Sequence, residues 1–343
     1  MTVPIPVIPG YTFRFARRED LPSVHQMLIR VAEADRTGYV DTLEDMTNEF
    51  IDAYSDPEKD SLLALTAEGH VAAMGRVYVN PAPQRERNAN LWGVVHPEQR
   101  GRGLGEAILT WMEARARQRL LEFPTDLPSA LRASSPDYLT ERITLIERHG
   151  FSPIRYWYSM RRDLSQPIPD EYLPSGLTLC TYRPELDQAL WEAFNESSSD
   201  HWNFEPISYE DWQKYPIQSA SFRPELSFLA LDGEGSRAQI SGFSVNFVRE
   251  EDNQRQGIAE GKIGELGTRR AWRKRGIASA LVCASMRLFK AAGLDYAGLT
   301  VDADSPTGAL SLYERLGFTV IKRLIIFSKP VDLDSELPAS APA

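Results

Sequence analysis

Two short segments combine glycines with basic residues directly before a helical pattern of apolar residues. One begins at Arg100 and the other at Arg273. The N-terminus of a helix carries unpaired N–H groups and a partial positive charge, so such a loop suits a diphosphate. Glycine is needed where a β-carbon would block the phosphate. The predicted binding residues are Arg100, Gly101, Arg102, Gly103, Leu104 and Gly105 in the first loop and Arg273, Lys274, Arg275, Gly276, Ile277 and Ala278 in the second.

These loops match neither of two common phosphate-binding patterns. The sequence contains no G-x-G-x-x-G of dinucleotide-binding folds and no G-x-x-x-x-G-K-[ST] of nucleotide hydrolases. A single loop of this kind could also be a tight turn at a helix start that binds nothing. Its recurrence in an equivalent context in both halves of the chain favours a shared binding role.

Composition restricts the possible functions. A net charge of −10 would repel a phosphate backbone, so we expect no nucleic acid partner. The chain has no apolar run of the roughly 20 residues that span a bilayer, and its first ten residues lack a secretory pattern, so we expect no membrane association and a cytoplasmic location. Two cysteines and five scattered histidines form no ligand cluster, so no metal site is predicted.

The chain is organised as an internal duplication. Besides the glycine loops, a helical pattern ending in Gly150-Phe151 is echoed by one ending in Gly317-Phe318. Each half reads as α/β with a mixed sheet, and 343 residues suit two domains of roughly 150 residues. We therefore predict domains at 1–165 and 177–330, a proline-rich linker at 166–176, and a flexible tail at 331–343.

The R-x-x-G-x-[GA] loop after a strand, followed downstream by Leu312–Phe318, resembles the GNAT superfamily of acyl-CoA-dependent N-acetyltransferases. The resemblance covers nearly the whole chain, once per half. The duplicated layout is similar to tandem acetyltransferases of the mycothiol synthase type. It implies two GNAT-like domains, each with a mostly antiparallel sheet flanked by helices. It also implies that acetyl-CoA is the cofactor, held through its diphosphate by the two loops.

The resemblance assigns roles to further residues of the second half. The strand before the second loop would pair with the pantetheine arm through Leu266, Gly267 and Thr268. Tyr313 occupies the position of the general acid that protonates the coenzyme A sulfur, whereas the first half has Ile146 there. The first half is therefore expected to be catalytically degenerate.

A general base is expected on the strand that enters the second loop. Glu265 is the candidate, and Glu260 is a neighbour with the same chemistry. Proteins of the mycothiol synthase type carry a carboxylate earlier on this strand, where this chain has Lys262. Arg269 and Arg270 add positive charge that could reach the cofactor's 3′-phosphate. Glu265 could alternatively be a solvated residue on the face of the strand.

The acceptor pocket is expected to include His201 and Trp202, in the loop that covers it, and Asp302 after a strand. An aromatic and an imidazole there could hold a cationic acceptor. Trp202 could instead pack within its loop, and Asp302 could cap the next helix.

The sequence thus predicts an acetyl-CoA-dependent N-acetyltransferase that acts in its second half on a primary amine of a small molecule, as a monomer or homodimer. Two alternatives stay open. One is an acyl-CoA-binding sensor or interaction protein without turnover. The other is a relative of N-myristoyltransferases or aminoacyl transferases, which the preferred donor would distinguish.

Overall fold

The computed structural model describes residues 3–48, 50 and 54–333. The chain divides into two compact units, residues 1–155 with 324–343 and residues 156–323. They are called the first and second unit below. Of the predicted tail, residues 334–343 lie outside the described residues. The predicted division into functional domains at residues 165 and 177 stays a prediction.

The helices and strands alternate in a similar order in both parts of the chain. Up to residue 163 they are β1 (Tyr11–Phe15), α1 (Leu21–Asp35), α2 (Leu43–Asn48), α3 (Pro57–Asp60), β2 (Ser61–Thr66), β3 (Val71–Val79), β4 (Arg87–Val95), α4 (Leu104–Glu122), β5 (Ser129–Pro136), α5 (Thr140–Arg148) and β6 (Ser152–Asp163). They continue with β7 (Leu177–Thr181), α6 (Asp187–Ser198), α7 (Tyr209–Trp212), β8 (Phe228–Asp232), β9 (Gln239–Val248), α8 (Glu250–Gln256), β10 (Glu260–Thr268), α9 (Ile277–Ala291), β11 (Tyr296–Asp302), α10 (Ala309–Arg315) and β12 (Thr319–Val331).

Each unit contains a six-stranded mixed sheet. The strand order is β1-β2-β3-β4-β5-β12 in the first unit and β7-β8-β9-β10-β11-β6 in the second. In each sheet one neighbouring pair is parallel, β4 with β5 and β10 with β11, and the other pairs are antiparallel. The predicted fold class, α/β with a mostly antiparallel central sheet, is confirmed.

The core of each unit lies between the sheet and the helix that follows the glycine loop. In the first unit, Leu104 and Trp111 of α4 are buried with sheet residues such as Leu131. In the second, Phe289 of α9 lies so close to the sheet that a β-carbon on Gly261 would stand 2.7 Å from its ring. The packing fixes the helix, and with it the glycine loop at its start.

The two units exchange strands along the chain. Residues 157–163 of β6 pair with β11 and belong to the second sheet. Residues 324–331 of β12 pair with β5 and belong to the first sheet. The last strand of the sequence therefore completes the sheet that the first strand begins.

Within the part of the chain that the structure describes, every helix is too short or too polar to cross a bilayer.

Candidate active site

The loop after β10 leaves backbone donors unpaired at the start of α9. Gly276 precedes the helix with φ +80°, a left-handed conformation that glycine adopts without strain. The first helical hydrogen bond runs from the N–H of Ala280 to the carbonyl of Gly276, over 3.0 Å. The N–H groups of Ile277, Ala278 and Ser279 therefore have no partner within the helix. The space that a β-carbon of Gly276 would face is open. This geometry fits the predicted diphosphate cradle.

The basic residues of this loop divide into two kinds. Lys274 and Arg275 are exposed, and no described residue forms an ion pair with either. Arg273 points the other way, because its guanidinium binds Asp200, the carbonyl of Ser197 at 3.0 Å and the carbonyl of Thr268 at 3.1 Å. Arg273 was predicted to bind the cofactor, whereas in the structure it joins the loop to the end of α6. This set of contacts between Arg273, Asp200 and Ser197 is called the clamp below.

The clamp is electrostatically strong and is repeated in the first unit. Hydrogen bonds from Arg273 and Arg270 lower the pKa of Asp200 to about 2. In the first unit, Arg100 donates to both oxygens of Asp35 at 2.7 and 2.9 Å and to the carbonyl of Val95 at 3.4 Å. In both units, the first arginine of the glycine loop binds an aspartate at the end of the helix that follows the unit's first strand. This helix is α1 in the first unit and α6 in the second.

Arg269 and Arg270 are also engaged within the protein. Arg269 forms an ion pair with Glu196 at 2.6 Å and lies over the ring of Trp272. Arg270 contacts Asp200 at 2.7 Å. The suggested contact of these arginines with the 3′-phosphate would therefore compete with existing ion pairs.

The strand before the loop separates from its parallel neighbour. β10 pairs with β11 only at Glu260, Gly261 and Lys262. On its other side it stays paired with β9 as far as Thr268. Among the described residues, no strand consequently pairs with one edge of the segment 264–268, and its backbone groups can pair with an extended ligand. Leu266, Gly267 and Thr268, predicted to pair with pantetheine, lie in this open segment.

A bulge lies where the two strands part. The register between β10 and β9 shifts between Ile263 and Glu265, so Gly264 is the extra residue. A β-carbon on Gly264 would stand 2.2 Å from the ring of Phe247, which excludes larger residues. The bulge thus lies directly before Glu265, next to the point where β10 parts from β11.

Glu265 has a strongly perturbed acidity. Burial raises the pKa of its carboxyl to about 7, although the Lys262 ammonium acts in the opposite direction. The pKa of Lys262 is itself lowered by burial. The alternative candidate Glu260 is engaged in an ion pair with Arg161. Of the two carboxylates proposed from the sequence, Glu265 therefore has the acidity of a base that works near neutral pH.

Tyr313 lies on α10, which packs against β11. Its side chain is 9% exposed and belongs to the apolar cluster against which Leu266 also packs. Burial raises the pKa of its phenol to about 12. The described residues offer its hydroxyl no hydrogen-bond partner. The phenol is therefore protonated at physiological pH and can donate to a ligand atom.

The three residues predicted for the acceptor pocket lie in two segments. His201 follows the end of α6, and burial lowers its pKa while the carboxylates of Asp302 and Asp200 oppose that effect. Asp302 ends β11, is 8% exposed and accepts the N–H of Asp304 at 3.1 Å. This is a local turn and not the helix cap foreseen as an alternative, because α10 begins after Gly308 and has no side-chain cap. The Asp302 carboxylate also acts electrostatically on His201. Trp202 is half-buried in the loop after His201.

Comparisons with known proteins identify the family. The profile of the acetyltransferase (GNAT) family matches residues 25–133 and 183–318, once in each unit. The chain belongs to the GNAT family. Mycothiol acetyltransferases are among its relatives. The one from Thermobispora bispora is 32% identical over 231 residues, 66% of this chain and 71% of the relative. The one from Salinispora tropica is 32% identical over 233 residues, 65% and 67% of the two chains.

Solved structures agree with a tandem GNAT architecture. A GCN5-related N-acetyltransferase from Sphaerobacter thermophilus has a TM-score of 0.70 at 27% identity and covers 94% of this chain and 97% of its own. A tandem GNAT protein from the clavulanic acid biosynthesis pathway has a TM-score of 0.67 at 16% identity, over 93% and 98% of the two chains, and shows the fold alone. The chain is therefore a tandem GNAT acetyltransferase, an enzyme that uses acetyl-CoA.

The two GNAT units differ at the chemical positions. In the first unit β4 also leaves its parallel neighbour β5, after Asn90. However, the register between β3 and β4 is unbroken from Ala73 to Val79, so that strand has no bulge. Alignment of the glycine loops places Trp92 where the second unit has Glu265, and the buried Ile146 lies where the second unit has Tyr313. The first unit keeps the opening and lacks both titratable groups.

Sequence reasoning missed two features of this site. It did not recognise Asp200 as the partner of Arg273, because the two residues lie far apart in the sequence. It also did not recognise the bulge at Gly264, although a glycine inside a strand pattern is a signal for one. Lys262 was noted only as a departure from related proteins, whereas the structure shows it acting on the pKa of Glu265.

Proposed function

We propose that the second unit transfers the acetyl group of acetyl-CoA to a primary amine of a small molecule by direct attack of the amine on the thioester. Acetyl-CoA supplies an activated acyl group. The loop from Lys274 to Ala278 binds its diphosphate, and the open segment 264–268 aligns the pantetheine arm. Holding both reactants in line supplies much of the rate acceleration.

Glu265 is the proposed general base, and its acidity carries the proposal. An amine must lose its proton to attack a carbonyl carbon, and a base is most effective when its pKa lies near the working pH. A carboxyl with a pKa of about 7 is about half ionised at neutral pH, whereas an exposed glutamate would be a much weaker base.

Tyr313 is the proposed general acid. The departing thiolate needs a proton, and a phenol whose pKa is about 12 keeps its proton throughout the physiological range. A hydroxyl without a protein partner is available for that bond. Leu266, which follows Glu265 on β10, packs against the apolar cluster that contains Tyr313.

The acceptor is proposed to be cationic before it reacts. Asp302 places a carboxylate near His201, and the whole chain is acidic. An ammonium is attracted to such a surface and can then lose its proton to Glu265. Because the relatives are mycothiol acetyltransferases, we propose that the acceptor of those enzymes is the first one to test.

The proposal is tested by a thiol-release assay with acetyl-CoA across an amine panel. The panel contains the mycothiol acetyltransferase acceptor, aminoglycosides, polyamines and amino acids. We expect saturable release of coenzyme A with at least one small amine, and mass spectrometry should find one added acetyl group on its nitrogen. Calorimetry with acetyl-CoA provides the binding constant in parallel.

Tight binding of acetyl-CoA without amine-dependent thiol release would contradict the proposal and favour the sensor alternative. Turnover that persists after Glu265→Gln and Tyr313→Phe are combined would place the chemistry elsewhere. A strong preference for long acyl donors would instead favour the N-myristoyltransferase-like alternative.

A further inference from the structure

The first unit contains a cavity of about 600 Å³ that runs from its glycine loop to α5. It is lined by Gly101, Gly103 and Leu104 of the loop, by residues of β4 beyond its last pair with β5, and by Ile146. The cavity thus contacts both the glycine loop and the position that aligns with the proposed acid of the second unit.

Arg142 lines this cavity one helical turn before Ile146. Two charged groups act on its guanidinium. The carboxylate of Asp35 attracts it and the guanidinium of Arg100 repels it. Arg100 already occupies both oxygens of Asp35, at 2.7 and 2.9 Å. No described residue forms a hydrogen bond with Arg142, and burial lowers its pKa.

Arg142 is half-buried, and a guanidinium that lines a cavity without a hydrogen-bond partner among the described residues attracts an anionic group. Tyr138 lines the same cavity and donates a hydrogen bond of 3.3 Å to the carbonyl of Arg36 at the end of α1. The cavity is therefore built for a ligand that brings a negative group to Arg142.

The position of Arg142 indicates which part of the ligand is negative. The loop amides at Gly103 and Leu104 provide for a diphosphate. Arg142 precedes Ile146 by one helical turn on the same side of α5, and Ile146 aligns with Tyr313, the proposed acid that serves the thioester. The second unit has Ala309 at the corresponding position, so this cation belongs to the first unit alone.

We infer that the first unit binds a coenzyme A thioester whose acyl group ends in a carboxylate, and that Arg142 is the partner of that carboxylate. A planar guanidinium binds a carboxylate through two parallel hydrogen bonds. Because Ile146 and Trp92 replace the acid and the base, the ligand is held without reaction. The inference goes beyond acetyl transfer in the second unit and does not depend on it.

The test measures binding to the first unit alone. Gly276→Asp places a carboxylate in the diphosphate cradle of the second unit, and Gly103→Asp is the matched variant in the first. Isothermal titration of the Gly276→Asp protein with succinyl-CoA and acetyl-CoA should show succinyl-CoA binding about tenfold tighter or more, as expected for a charge-assisted pair. Arg142→Ala in that background should abolish the preference, and Arg142→Lys should retain part of it.

Two outcomes would overturn the inference. One is equal affinity for succinyl-CoA and acetyl-CoA. The other is that Arg142→Ala weakens the binding of both thioesters equally but leaves the binding of 3′-dephospho-CoA unchanged. That result would assign Arg142 to the cofactor's own 3′-phosphate. If thermal melting shows that Gly276→Asp is unfolded, comparing wild type with Gly103→Asp isolates the same site. Amine-dependent turnover of Gly103→Asp reports separately on the second unit.

Discussion

Burial has opposite consequences for the two acidic side chains of the second unit, although it moves both pKa values upwards. For Glu265 it brings the pKa to about 7, into the range where a base alternates between its two forms. For Tyr313 it moves the pKa to about 12, away from that range, so the phenol stays a donor. The same physical effect thus separates the proposed base from the proposed acid.

Glu265→Gln should lower kcat by about 10²-fold or more, as is typical for loss of a general base. In wild type the base must be ionised, so kcat/KM should rise with pH through a pKa near 7 and then level off. The glutamine variant should lose this limb of the profile. The measurement is a pH series of thiol release at limiting acceptor.

Lys262→Met is the matched electrostatic variant for that series. The ammonium of Lys262 lowers the pKa of Glu265, so its removal should move the limb to higher pH while the limb itself persists. A profile that is unchanged in both variants would show that Glu265 is not the base.

Tyr313→Phe should lower kcat by about 10²-fold or more through loss of the proton donor. The loss should be the same at every pH below about 10, because a phenol with a pKa of about 12 stays protonated there. The ring of Tyr313 packs against the ring of Phe318 with the two centroids 6.0 Å apart, and phenylalanine at position 313 preserves that contact. The melting temperature and the affinity for acetyl-CoA are therefore expected to stay constant. Wild-type turnover across the whole range would remove Tyr313 from the mechanism.

At the scale of elements, the loop and the helix before it act together. Arg273 joins the loop to Asp200 and Ser197 at the end of α6, and Asp200 precedes His201. One guanidinium therefore holds the proposed cofactor loop and the loop that contains His201. Displacement of either should change the geometry of the other.

Arg273→Gln should raise KM for acetyl-CoA about tenfold with a smaller change in kcat, since loss of a charged hydrogen-bond partner costs about 1.5–3 kcal/mol. Arg100→Gln is the matched control, because Arg100 forms the same clamp with Asp35 in the first unit. Steady-state kinetics of both variants, with melting curves, check the result. An equal rise of KM in both would show that the effect is not local to the second unit.

The sequence predicts the local parts of this site well and the long-range parts poorly. Glycines before an apolar helical pattern locate the start of α9 because both signals lie within a few residues. Arg273 and Asp200 are 73 positions apart, so the clamp could not be read from the loop alone. The acidity of Glu265 depends on its burial in the folded protein and leaves no local pattern. Arg142 appears in the sequence only as one of many charged helix residues.

At the scale of the whole molecule, the chain closes its first sheet with its last strand. The repeat in the sequence predicted two similar domains, but strand patterns do not reveal which sheet a strand joins. Phe327 and Val331 lie on β12 and are buried in the core of the first unit, with Leu333 just beyond. The first unit therefore depends on residues that follow the second unit in sequence.

Truncation after Arg323 should unfold the first unit, because the sheet loses its pairing with β5 and the core loses Phe327. Burial of one large apolar side chain is worth about 2–5 kcal/mol, and loss of a whole strand approaches the typical stability of a domain, about 5–15 kcal/mol. Truncation after Leu333 retains the strand and is the matched control. Thermal melting should lose the transition of the first unit in the shorter protein and keep it in the longer one. Hydrogen exchange of β5 should rise in the same comparison, and protection of β5 that survives the shorter truncation would contradict the strand exchange.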